Sequence, residues 1–118
     1  MSDVFAERLE KVRSRFGARL DARIEGIELA LPQRDRYVGL DVLAQAHRHA
    51  HDLCGVGSTL GYAETGKVAR SIEQLLLAAV QAQRALTDDE IPRVREGIAL
   101  LRSTATAEMG QAALGVAQ

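Results

Sequence analysis

One cysteine, no tryptophan, two phenylalanines and two tyrosines occur in 118 residues. Cys54 alone cannot close an internal disulfide, and there is no CxxC pair or paired-cysteine framework. An aromatic content of 3% argues against base stacking as a route to single-stranded nucleic acid, and points to a core of aliphatic side chains. Charge of one sign is also missing: 15 Lys and Arg stand against 16 Asp and Glu, a net charge of −1. That balance disfavours binding that neutralises many phosphates, and it gives no polybasic membrane surface. The longest apolar run, Leu75-Leu76-Leu77-Ala78-Ala79-Val80, is a third of the roughly 18 residues a membrane span needs. The opening Met1-Ser2-Asp3-Val4-Phe5 has no basic stretch followed by an apolar one. A soluble, cytoplasmic chain is expected, with neither nucleic acid nor membrane as partner.

What is present fits a single folded domain spanning 1–118. The charged fraction of 26% and apolar fraction of 47% are ordinary for a globular protein, and the length allows one buried core. Apolar residues recur at helical spacing almost throughout, and no segment alternates with period two for long. The first block carries Phe5, Leu9, Val12, Phe16, Leu20, Ile24, Ile27 and Leu31. Gly17 is expected to divide it into a short leading helix and a longer one, and Pro32 ends it. A second block starts near Asp35 or Asp41, with the inner stripe Leu43, Ala46, Ala50, Leu53, Gly57 and Leu60. Gly61 is its expected stop.

In the third block Val68, Ile72, Leu75, Ala79, Ala82 and Leu86 are expected to face inward. Thr87 and Glu90 then have capping-box spacing. Because Pro92 would fall beyond the first turn from Thr87, Asp88 and Asp89 compete with it as the cap. The fourth block carries Ile91, Val94, Ile98, Leu101 and Ala105, and the tail 109–118 is expected to fray. The fold class expected is all-α: an antiparallel four-helix bundle, about 30 Å long, with a short additional N-terminal helical segment.

All three histidines, His47, His49 and His51, lie within five residues of the second block, just ahead of Cys54 and Gly55. On a helical wheel with His51 at zero, the inner stripe centres near about −130°, so His51 projects to solvent. His47 (about −40°), Cys54 (about −60°), Gly55 (about +40°) and Ser58 (about −20°) share its face. His49 (about +160°) sits at the edge of the core stripe and reads as structural. A neutral imidazole is nucleophilic near neutral pH, and Gly55 leaves its approach open. Such a ring can hold a phosphoryl group as a phosphoramidate and pass it on.

The segment from His51 to Tyr62 resembles the signature of histidine phosphotransfer (HPt) domains, which carry phosphoryl groups between receiver domains, or from a kinase, in bacterial phosphorelays. That family's pattern is H-x-L/I-K-G, five residues, then G; His51, Leu53, Gly55 and Gly61 match it in register. Ala50 before the histidine, Ala69, Ile72 and Glu73 in an A-x-x-L-E-like stretch, and the helix from Phe16 to Leu31 extend the likeness over about residues 15–107.

The resemblance implies that His51 is the phosphoacceptor, with Gly55, Cys54, Arg48, His47, Ser58 and Lys67 in support. It implies a phosphocarrier, not an enzyme, with no ATP site and no cofactor of its own. Its partners would be a response-regulator receiver domain, which would bring Mg²⁺ with its aspartate, and a hybrid histidine kinase. Cys54 departs from the family, which usually has lysine there to place positive charge beside the phosphoryl group. Arg48, one turn before His51, is placed to substitute, and Lys67 and Arg70 on the next helix are further candidates. Two other readings compete: a docking module of the same fold that is never phosphorylated, and a metal-binding bundle using His47, His51 and Cys54.

Overall fold

A computed structural model describes residues 2–33 and 37–117. It contains four helices: α1 (Ser2–Glu28), α2 (Leu40–Gly57), α3 (Ala63–Ala82) and α4 (Glu90–Ala117). Each packs antiparallel to the next, as the cross-helix neighbours require: Gly26 lies against His49, Gly57 against Gly66, and Ile72 against Gly97. Glu28 and Arg102, 3.1 Å apart, tie α1 to α4. Among the described residues, no helix is long and apolar enough to cross a membrane.

The stripe expected for α2 is the stripe that is buried. Leu43, Ala46, Ala50, Leu53 and Gly57 face inward, with Leu60 buried in the turn beyond. In α4, Val94, Ile98, Leu101 and Ala105 are likewise buried. The third block differs in phase. Ile72, Ala79 and Leu86 are buried as expected, but Val68 and Leu75 are only half-buried and Ala82 is exposed. Thr65, Gly66, Ala69 and Leu76 complete the buried set of α3. This helix is packed by α2 on one side and α4 on the other, and the two contacts pull its buried arc toward the seam with α2.

The N-terminal segment is not a separate helix. α1 runs unbroken through Gly17, whose absent side chain serves packing: a Cβ there would meet Tyr62 Oη at 3.0 Å. Tyr62 in turn packs on Phe16, with ring centroids 5.1 Å apart. The apolar residues ahead of Phe16 lie outside the core, with Phe5 72% and Val12 47% exposed and Leu9 half-buried. α1 starts well beyond the α2–α3 turn, and this overhang stretches the longest dimension to 51 Å, against about 30 Å for a bundle of equal helices. In the tail, where the helix is expected to fray or continue only in part, α4 continues to Ala117. Its alanines favour helix, as alanine does intrinsically.

Of the two starts considered for the second helix, Asp35 lies outside the described residues, and α2 begins at Leu40, one residue before Asp41. α2 also ends four residues before Gly61, with Ser58 as its C-cap. Gly61 does take the left-handed conformation expected of it (φ +90°), in the turn that sends the chain back into α3. At α4 the cap is Thr87, not Asp88 or Asp89. Its Oγ1 accepts from Glu90 N–H at 3.1 Å, while its own N–H donates to Glu90 Oε1 at 2.8 Å. Pro92 is the third residue of α4, in the first turn where proline is tolerated, and the Arg84–Glu90 pair, 2.7 Å apart, stands at the same helix start.

Candidate functional site

α2 presents His51 on its solvent face, with the side chain 66% exposed. The opposite face of the same helix is locked by Ala50 and Leu53, both fully buried, so the histidine's position is set by the core behind it. Its ring is held from the side: Nδ1 lies 2.8 Å from Oε1 of Glu73 on α3. A carboxylate oxygen accepts, so in the neutral ring Nδ1 carries the proton and Nε2 keeps its lone pair. The hydrogen bond to Glu73 and that residue's negative charge raise the His51 pKa above 6.5, with Asp52 adding a smaller push and slight desolvation opposing them.

The same Glu73 oxygen lies 3.8 Å from Nε2 of His47. The His47 side chain is 22% exposed, its Nε2 is buried without a hydrogen-bond partner, and its ring lies 6.3 Å from that of His51 at 18°. Glu73, itself 18% exposed, lies between the two histidines across the α2–α3 seam. On the sequence alone Glu73 figures only as part of the family resemblance. The signal that points to more is its place beside Ile72, which puts a carboxylate at the edge of the buried stripe.

Two hollows flank His51. One, of about 350 Å³, is lined by Cys54, Gly55, Arg70, Glu73, Gln74 and Leu77. The other, of about 430 Å³, is lined by His47, Arg48, Glu73 and the apolar Ala44, Leu77 and Val80. Gly55 has open space where a side chain would be, with no atom within 4 Å of an added Cβ, which keeps the first hollow clear. Gly57 has the opposite role. A Cβ there would stand 3.1 Å from the Tyr62 carbonyl and 3.6 Å from Gly66 Cα, so it permits close approach of α2 and α3.

The remaining expected site residues separate. Cys54 is half-buried at the wall of the first hollow, and Arg48 is exposed at the second. Ser58, the C-cap of α2, lines neither. Lys67 is drawn to Glu64, 3.1 Å away, and also lines neither. His49 packs over Gly26, where a Cβ would meet its ring at 2.5 Å, so it is a packing residue. Among the described residues, no group of three or more His, Cys, Asp or Glu is arranged to hold a metal ion, and His47, His51 and Cys54 form no such group.

A histidine anchored through one ring nitrogen and open at the other, on the second of four antiparallel helices, is an arrangement suited to group transfer. Comparison with curated proteins and with solved structures found no match. The model of the Hpt domain matches residues 11–104, most of the chain, and this protein belongs to the Hpt domain family.

Proposed function

We propose that this chain is a phosphocarrier of a phosphorelay, which accepts a phosphoryl group on His51 Nε2 from the aspartate of a response-regulator receiver domain and returns it to such an aspartate. The observation that carries this reading is the 2.8 Å contact between His51 Nδ1 and Glu73 Oε1, which leaves Nε2 as the free nucleophile on an exposed ring. In the transfer, the Nε2 lone pair forms a bond to phosphorus as the bond from phosphorus to the aspartyl oxygen breaks. The aspartate leaves as carboxylate with the bonding electrons. The Nδ1 proton remains between the ring and Glu73, whose charge offsets the positive charge that the new N–P bond places on the imidazole. Transfer back to an aspartate reverses each change. Mg²⁺ belongs to the receiver in this reading, where it neutralises the phosphoryl oxygens.

The docking surface surrounds His51 and takes in the exposed faces of α1 and α2. A groove of about 230 Å³ between those helices has Val12, Phe16, Val56 and Leu60 as its apolar floor, with Arg15 and Arg19 on its rim. A receiver domain or a hybrid histidine kinase is the partner, and the cytoplasm is where the chain would meet it.

The test is to incubate the protein with a phosphorylated receiver and Mg²⁺ and to look for acid-labile, alkali-stable label. Label on the wild type that is absent from His51→Gln is the expected result. Label that survives His51→Gln would place the site elsewhere. Binding to several receivers without any label would leave a docking module in place of a phosphocarrier.

A further inference from the structure

The hydrogen bond that orients His51 also creates a charge conflict. Glu73 Oε1 stands 2.8 Å from Nδ1, so a dianionic phosphoryl group on Nε2 shares the ring with a carboxylate. The carboxylate and the phosphoryl group sit on opposite nitrogens of one ring, where their like charges oppose one another, and a cation beside the phosphoryl oxygens would offset them. α2 does not provide one at Cys54, whose side chain walls the hollow without positive charge. Lys67 is committed to Glu64 at 3.1 Å.

Two arginines remain beside His51, and their surroundings differ. Arg48 borders a hollow walled by His47 and the apolar Ala44 and Val80, with Glu73 and Leu77 common to both hollows. Arg70 borders the hollow that Gly55 keeps clear, and Gln74, one turn further along α3, lines it too. There a guanidinium and an amide, both hydrogen-bond donors, line the same hollow as His51. Arg70 forms no ion pair with an acidic side chain among the described residues, so its charge is uncommitted.

We infer that Arg70, assisted by Gln74, forms the seat for the phosphoryl group carried by His51, so that the neutralising charge comes from α3 and not from position 54 on α2. This rests on the reading of His51 as phosphoacceptor and assigns the residues that hold the transferred group. Guanidinium suits the task because its planar fork of N–H donors matches phosphoryl oxygens.

The experiment compares wild type, Arg70→Ala, Arg70→Lys, Cys54→Lys and the double variant Arg70→Ala/Cys54→Lys in transfer from one phosphorylated receiver. Circular dichroism verifies that each is folded. Arg70→Ala is expected to slow transfer about ten-fold, the loss of one charge-assisted hydrogen bond, and Arg70→Lys to retain most of the rate. Cys54→Lys should restore most of what Arg70→Ala loses. In the phosphorylated chain, the ³¹P resonance should titrate at higher pH in Arg70→Ala than in wild type, because a cation favours the dianion.

A labelled wild type with Arg70→Ala unchanged in rate and ³¹P titration overturns the inference alone. So does a loss that neither lysine variant repairs, since charge would not be what was removed. A wild type that takes no label overturns the phosphocarrier reading, and this inference with it.

Discussion

Glu73 Oε1 holds His51 Nδ1 at 2.8 Å across the seam between α2 and α3. The two residues are on different helices, so the tautomer of the histidine is set by how those helices pack. Close packing is secured by the small pair Gly57 and Gly66, whose backbones meet at the same seam. The architecture of the core and the chemistry of the imidazole are thus coupled through one carboxylate.

The first expectation concerns pH. Glu73 raises the His51 pKa above 6.5, so the ring titrates above that value in wild type and closer to it in Glu73→Gln, as NMR of the ring protons would read. The sign for stability follows: a raised folded-state pKa contributes stability that is full below 6.5 and is lost as pH rises through the folded value. The stability gap between wild type and Glu73→Gln should therefore be larger near about pH 5.5 than near about pH 8.5. An equal gap at both would show that the contact has no charge component.

α3 begins without a side-chain cap of its own, and α4 supplies one. Glu108 Oε1 accepts from the Thr65 N–H at 2.7 Å and from its Oγ1 at 2.6 Å, and Oε2 accepts from Glu64 N–H at 3.2 Å. Thr65 is fully buried. Glu108→Ala leaves its hydroxyl unsatisfied and should cost about 1–3 kcal/mol in urea unfolding. Adding Thr65→Val should return part of that loss, and a double variant no better than Glu108→Ala would assign the cost elsewhere.

At the start of α4, Thr87→Ala should cost about 1 kcal/mol. Hydrogen bonds from Arg84 and then from Thr87 lower the Glu90 pKa from 4.5 to about 2. A depressed carboxylate stabilises the fold above its unfolded value and loses that contribution as pH falls through its folded one. Melting temperatures of wild type and Glu90→Gln should accordingly converge as pH is lowered from 4.5 to about 2. Curves that stay parallel over that interval would contradict the cap.

Two glycines of α2 should respond in opposite directions. Gly55→Ala adds a methyl group into open space and should stabilise the helix by up to about 1 kcal/mol. Gly57→Ala drives a methyl group to 3.1 Å from the Tyr62 carbonyl oxygen, which is backbone and cannot easily yield, so it should destabilise. Thermal melts that shift the same way for both would refute the distinction.

Much of this molecule is readable from local periodicity. The 3.6-residue period alone places Leu43, Ala46, Ala50, Leu53 and Gly57 inside and His51 outside, because both facts depend only on rotation about one helix axis. The resemblance carried by His51, Leu53, Gly55 and Gly61 lies within one short stretch of chain, and the Thr87–Glu90 box is a contact within one turn. Where the pattern misleads, the residues keep helical spacing but are not covered: Phe5 is 72% exposed and Val12 47%, at the groove between α1 and α2.

The tertiary structure decided what depends on two helices at once. That Glu73 faces His51, that Glu108 caps α3, that Lys67 turns to Glu64, and that Arg70 borders the hollow beside the histidine follow from the rotation and register of α3 and α4 against α2. Sequence spacing specifies the angle of each residue about its own axis but not the angle between axes. Only the packing of the core sets the latter, so the histidine was legible in the chain and its partners were not.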